Sequence, residues 1–79
     1  MQVQIISLEG VRFDGPAAGV NVKTTSGEIT VLDHHLPLIS VLQPGQAHVI
    51  LADKTRKTFT LAGGFLEMNA HNKLTILAD

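Results

Sequence analysis

The chain has 79 residues, with six Lys or Arg against seven Asp or Glu and a formal net charge of −1. A chain this short makes one domain, residues 1–79, and buries roughly 60–65% of its unfolded surface, which leaves partnership as a source of further burial. The scattered, near-neutral charge argues against nucleic-acid binding, and the lack of cysteine excludes disulfides, thiolate chemistry and cysteine metal sites.

No stretch approaches the ~18 apolar residues of a membrane-spanning helix. The opening Met1–Ile6 lacks the basic and then apolar pattern of a secretion signal. With no Trp or Tyr, and only Phe13, Phe59 and Phe65 as aromatics, Val, Ile and Leu must fill the core.

Gln2–Ser7 alternates, with Val3 and Ile5 on one face and Gln2 and Gln4 on the other, where Ile6 intrudes; this predicts a first strand. Leu8-Glu9-Gly10 punctuates it, Val11–Asp14 is a short strand, and Gly15-Pro16 is a turn pair. Ala18–Thr24 alternates through Val20 and Val22, with Asn21 and Lys23 outward. Thr25–Glu28 reads as a turn in which Gly27 supplies positive φ, and Ile29–Leu32 follows as a brief strand. Asp33-His34-His35-Leu36-Pro37 interrupts, with Pro37 pushing Leu36 towards an extended backbone.

Leu38–Leu42 is apolar on both sides except at Ser40, so it is either covered on both faces or turns its outer face to a partner. Gln43-Pro44-Gly45 carries a type II turn signature. Gln46–Asp53 sets Ala47, Val49 and Leu51 against Gln46, His48 and Ile50. The Asp53–Arg56 turn, with Lys54, Arg56 and Lys57 as a solvated basic tip, returns the chain to Phe59 and Leu61. Gly63-Gly64 drops two consecutive Cβ atoms, which suits a bulge, a bend or backbone pressed against another surface. Lys73–Leu77 alternates last. Nine or ten short strands with hairpin-length links, and no 3.6-residue stripe, predict an all-β sandwich or small barrel.

Chemistry is poorly provided for. His34, His35 and His48 would form a metal site only if the fold converged them, and their spacing follows no metal-ligand pattern. Ser7, Ser26 and Ser40 lack a nucleophile-elbow context, and Glu9, Asp14, Glu28 and Asp33 sit in separate turns. Gly63-Gly64 is not followed by Gly-Lys-Ser/Thr, so no phosphate loop is present. The chain's size leaves little room for a pocket of a few hundred Å³. The reading is a non-catalytic binding domain without cofactor or metal, whose candidate surfaces are Leu38–Leu42, the glycine pair beside Phe65, and the turns at Glu28 and His35.

At these residues the chain resembles a known family. Gly27-Glu28-Ile29-Thr30-Val31-Leu32, His35, Pro37-Leu38-Ile39-Ser40 and Leu42-Gln43-Pro44-Gly45 follow, in order and spacing, a run of the ATP synthase epsilon subunit. That run opens Gly-Glu-x-Gly-Val-Leu-Pro-Gly-His-Ala-Pro-Leu-Leu-Thr and closes on Lys-Pro-Gly. Ser7–Phe13, Ala62–Glu67 and Lys73–Asp79 are similar to further segments of that family.

The resemblance implies a flattened ten-stranded β-sandwich with short hairpin turns, at the foot of the central stalk of a rotary F-type ATP synthase. It would be a non-catalytic rotor subunit that joins the gamma subunit to the c-ring and couples ion flow to ATP synthesis. Its place would be peripheral, at the cytoplasmic face of the cell membrane or the organellar equivalent, held there only through its partners. By position, Glu28, Asp33, His34 and His35 would face the c-ring; Ser7, Ile39, Leu42, Ala62, Gly63, Gly64 and Phe65 would face gamma.

Asp33 and His34 stand where that family has Pro and Gly, and Thr30 replaces a glycine. Family members continue into a helical hairpin that regulates hydrolysis and in some members binds ATP; with the chain given to Asp79, neither function nor ATP binding is expected. A stand-alone β-sandwich binding module, and a small metal enzyme built on His34, His35 and His48, are the alternative readings.

Overall fold

The computed structural model describes all residues, Met1–Asp79. Nine strands form: β1 (Gln2–Ser7), β2 (Gly10–Pro16), β3 (Gly19–Thr24), β4 (Gly27–Leu32), β5 (Leu38–Leu42), β6 (Gly45–Ile50), β7 (Arg56–Leu61), β8 (Gly64–Met68) and β9 (Lys73–Ala78). This is one fewer than the ten implied by the resemblance. The longest links, 33–37 and 51–55, are taken up by turns, so no further stretch is left to pair.

The hydrogen-bonded order is β2-β1-β9-β8-β5-β3-β6-β7, with β4 on the other edge of β3. It folds into two layers, β2-β1-β9-β8-β5 and β4-β3-β6-β7. All pairs are antiparallel except β1 with β9, which places the first and last strands side by side.

Pro44 and Gly63 shape the fold at two corners. β3 runs antiparallel to both β5 and β6, so β5 and β6 run in the same direction, as one bent strand. Gln43-Pro44-Gly45 is therefore a corner, in place of the expected reversing turn. Proline cannot donate to a ladder and favours a break in it, while the Gln43 amide still donates to the Lys23 carbonyl at 3.0 Å.

β7 and β8 likewise form one bent strand through Ala62-Gly63. Gly45 faces Leu61 on one side of the corners and Leu42 faces Gly64 on the other, so the pairing passes both bends without a slip. The result is a long hairpin, 38–68, whose tip is the Leu51–Thr55 turn and whose two arms each cross from one layer to the other.

Between the layers lie fourteen buried apolar residues, among them Val3, Ile5, Val20, Val22, Ala47, Val49, Leu66, Met68, Leu74 and Ile76. These are the alternate positions that period-two patterning assigns inward. Gly27 has φ 122, as its turn requires. Thr24, the buried polar side chain, donates its hydroxyl to the Gly27 carbonyl at 2.7 Å and accepts the Ser26 amide.

The two terminal strands of the order, β2 and β7, approach each other without a backbone ladder. The Arg12 Nη1 donates to the Thr60 carbonyl at 2.9 Å, and the guanidinium lies 5.7 Å from the Phe59 ring centroid. Phe13 meets Phe59 edge to face at 6.0 Å, with the Lys57 ammonium 5.8 Å from the Phe13 ring. These side chains cover an otherwise open edge. Arg12→Ala is expected to cost roughly 1–2 kcal/mol from the lost cation–π contact and hydrogen bond. Thermal denaturation would show it as a midpoint lowered by about 4–15 °C in a domain of this size.

Candidate docking faces

The two outer faces of the sandwich differ sharply in character. On the first layer, register aligns Val41 with Phe65, Phe65 with Leu77, Leu77 with Ile6, and Ile6 with Val11. Directly paired residues share a face, so these five form one apolar row across β5, β8, β9, β1 and β2. At the usual strand spacing it is about 19 Å long. Val41, Phe65, Leu77 and Val11 are each 47–59% exposed, and Ile39, next to the row on β5, is 75% exposed. The adjoining row, Ile39-Glu67-Thr75-Gln4-Asp14, is polar beyond its first member. An apolar strip with a polar border has the anatomy of a protein interface.

The row arises from a departure from strict alternation. Ile5-Ile6, Val41-Leu42, Phe65-Leu66 and Ile76-Leu77 are apolar doublets on four adjacent strands, with Ile5, Leu42, Leu66 and Ile76 buried and the other members outward. On the second layer the outward positions are mostly polar, the exceptions being the exposed Leu32 and the half-buried Ile50, which pair across Gly19. Asn21 donates to Glu28 at 3.0 Å and to Thr30 at 2.9 Å, and His48 Nδ1 lies 2.9 Å from the Thr58 hydroxyl.

The sequence-derived gamma-facing set divides accordingly. Ile39 and Phe65 lie on the apolar face, and Ala62 is exposed at the corner beside it. Leu42 is 4% exposed and belongs to the core, because its neighbour Val41 takes the outward direction. Gly63 and Gly64 are buried, so neither offers a surface. A Cβ on Gly64 would overlap the Leu77 carbonyl oxygen, so the close approach that this glycine permits is to β9 of the same chain. Ser7 ends β1, its hydroxyl accepting the Glu9 amide at 3.3 Å. Val41, Leu77, Ile6 and Val11 are not in the sequence-derived set; the doublets are the signal for the first three, and Val11 joins their row only through its pairing with Ile6.

The candidate ring-facing residues lie along β4 and the loop after it. Glu28 is at the start of β4, while Asp33, His34 and His35 follow its end, so they mark the two ends of an edge strand rather than one cluster. All four are exposed. The Asp33 carboxylate accepts from the Met1 ammonium at 2.6 Å and from Asn72 Nδ2 at 2.8 Å, and His34 Nε2 lies 3.6 Å away. The hydrogen bond from the ammonium, then that from Asn72, holds the Asp33 carboxyl below the usual range. Asp53 is lowered by hydrogen bonds from the Thr55 hydroxyl and amide.

For both carboxyls the folded pKa lies below the unfolded one. Their contribution to stability is therefore complete above about pH 4–5 and is lost as pH falls through the lowered folded values. Because both carboxyls are exposed, urea midpoints are expected to fall only modestly as pH drops below about 4, and the Asp33→Asn variant is expected to show a smaller fall over the same range.

No three of the chain's His, Asp and Glu residues come together, so the fold does not converge His34, His35 and His48. An open cleft of about 530 Å³ does form, contrary to the expectation from chain length, between the 16–18 link, Asp33 and Leu51–Asp53. Pro16, Ala17, Ala18, Leu51 and Ala52 line it, and its two carboxylates, Asp33 and Asp53, already hold the partners described above.

A family model described as the beta-sandwich domain of the ATP synthase delta/epsilon chain matches residues 1–79. The ATP synthase epsilon chain of Bordetella petrii is 37% identical over all 79 residues, which span 55% of that protein. That of Acinetobacter baumannii is 34% identical over the same residues and 56% of its length. The chain thus spans about half the length of the curated relatives it matches.

Among solved structures, a chain of the Euglena gracilis mitochondrial ATP synthase, in an OSCP/F1/c-ring assembly, superposes with a TM-score of 0.90 at 22% identity. The match covers 96% of this chain and 48% of that one. A chain of the Tetrahymena thermophila mitochondrial ATP synthase central stalk and c-ring gives a TM-score of 0.81 at 20% identity, covering 99% and 62%. At these identities the likeness speaks for the fold.

Proposed function

The chain belongs to the family of ATP synthase delta/epsilon chain β-sandwich domains, and from that membership we propose that it is a non-catalytic rotor component of an F-type ATP synthase. Residues 1–79 act as one unit that joins the gamma subunit to the c-ring, so that ion flow through the ring is coupled to ATP synthesis elsewhere in the complex. The unit is peripheral to the membrane and reaches it through its partners, at the cytoplasmic face or its organellar equivalent.

The observation that carries this reading is the contrast between the two outer faces. The row Val41-Phe65-Leu77-Ile6-Val11, with Ile39 beside it, docks on gamma; burying such a strip removes apolar area from water at about 25 cal/mol per Å². The β4 edge and its loop, through Glu28, Asp33, His34 and His35, meet the ring. Their polar character suits a contact that stays partly hydrated.

Mixing the full chain with gamma and c-ring from the same source, followed by size-exclusion chromatography, is expected to yield a ternary complex in equal molar amounts of chain and gamma. Elution of the chain alone at micromolar concentrations would overturn the reading.

A further inference from the structure

The five-residue loop 33–37, which carries His35 and Leu36, has little of its own to hold it in shape. Leu36 is 78% exposed, and the loop's backbone bonds are Asp33 N to the Ala18 carbonyl at 3.1 Å and His35 N to the Leu32 carbonyl at 3.0 Å. Its one internal side-chain hydrogen bond, His35 Nδ1 to the Leu36 carbonyl at 2.7 Å, joins adjacent residues without anchoring them to the sandwich. His34, between these anchors, sits at φ 61, a left-handed conformation that a side chain with Cβ adopts at a cost. What meets it comes from the β8–β9 turn, 38 residues away in sequence.

Asn72 accepts the His34 amide on Oδ1 at 2.7 Å and donates from Nδ2 to Asp33 Oδ1 at 2.8 Å. One side chain thus grips a backbone donor and a side-chain acceptor on successive loop residues. Asn72 is itself at φ 58, a conformation that Asn tolerates better than most residues, and its carbonyl accepts the Gln2 amide at 3.1 Å, which ties the turn to β1.

We propose that Asn72 is a positioning residue for the ring-facing loop: by clasping Asp33 and His34 it fixes the direction in which His35 and Leu36 are presented to the c-ring. This rests on the ring contact proposed above. The bond to Asp33 has an ionised acceptor and is of the stronger, charge-assisted kind. The groups facing the clasp are the Met1 ammonium and the His34 ring, and neither replaces the amide's double grip.

Asn72→Gly tests this cleanly, because glycine keeps the left-handed backbone while removing the clasp. Three readouts on the full chain separate positioning from a general structural role. Affinity for purified c-ring is expected to fall at least tenfold; affinity for gamma, whose row crosses β9 at Leu77, five residues along the chain from Asn72, is expected to stay within twofold. Hydrogen exchange at the His34 and His35 amides is expected to accelerate at least tenfold, while the β9 amides remain protected.

Unchanged ring affinity in Asn72→Gly, with wild-type chain binding the ring normally, overturns the positioning role alone. Parallel loss of gamma and ring affinity, with β9 exchange accelerated, also overturns it, since the residue would then merely hold the fold. Failure of the wild-type chain to bind the ring removes the functional reading, and this inference with it.

Discussion

Leu77→Glu is expected to weaken binding to gamma by at least about 100-fold while leaving the free domain folded. Leu77 is the central member of the apolar row, between Phe65 and Ile6, and is 54% exposed in the isolated chain. A carboxylate there is solvated before docking, so the cost to stability is at most about 1 kcal/mol, as for other exposed sites. At the centre of a docked apolar strip the same carboxylate would be stripped of water, at a cost of several kcal/mol. About 2.8 kcal/mol already amounts to 100-fold.

Leu77→Ala loses only packing and is expected to weaken binding about tenfold, in keeping with truncation at the centre of an interface. Calorimetric titration against gamma would measure both. Binding of Leu77→Glu at wild-type affinity would show that gamma docks elsewhere.

Gly64→Ala is expected to damage the fold itself, by roughly 3–5 kcal/mol. Gly64 has φ 136, and its built Cβ would overlap the Leu77 carbonyl oxygen and stand 2.9 Å from the Ala78 Cα. These are backbone atoms of a paired strand, with Gly64 opposite Ala78, so no side chain can swing aside. Backbone strain of about 1–3 kcal/mol adds to an overpacking cost of similar size. Set against the 5–15 kcal/mol typical of a whole domain, the loss lowers the thermal midpoint by more than about 12 °C or prevents folding.

Gly15→Ala is the control. Its Cβ would meet only the Phe13 ring at 3.7 Å, an ordinary contact, and a change within about 0.5 kcal/mol is expected. A Gly64→Ala protein as stable as Gly15→Ala would mean that β8 and β9 are not packed as described.

Period-two alternation located nearly all the strands and named the core face correctly at Val3, Ile5, Val20, Val22, Ala47 and Val49. These are local facts, set by the backbone geometry of each segment. What alternation cannot express is which strand lies beside which. Gly63-Gly64 reads locally as a bend, which it is, but Gln43-Pro44-Gly45 looks like a reversing turn when read alone, and only the pairing of β5 and β6 with the same β3 makes it a corner.

The docking face was half legible for the same reason. The outer faces of Ile39 and Phe65 could be suspected from their segments, but the row becomes one surface only when registers bring Leu77, Ile6 and Val11 beside them. Leu42 was placed on that surface by likeness of position. A one-residue step to Val41 reverses the face, as it must in any strand. The Asn72 clasp spans 38 residues and follows from no local pattern.

The two bent strands have a mechanical consequence. Layers joined by apolar contact alone resist separation but yield to sideways sliding, because dispersion contacts are nearly indifferent to direction. Here β5–β6 and β7–β8 each run as unbroken backbone from one layer into the other, so a tangential load on one outer face reaches the opposite layer through covalent bonds and paired ladders. In the proposed stalk role, with gamma on one side and the ring on the other, such a domain passes on torque with little shear: a stiff key between shaft and wheel.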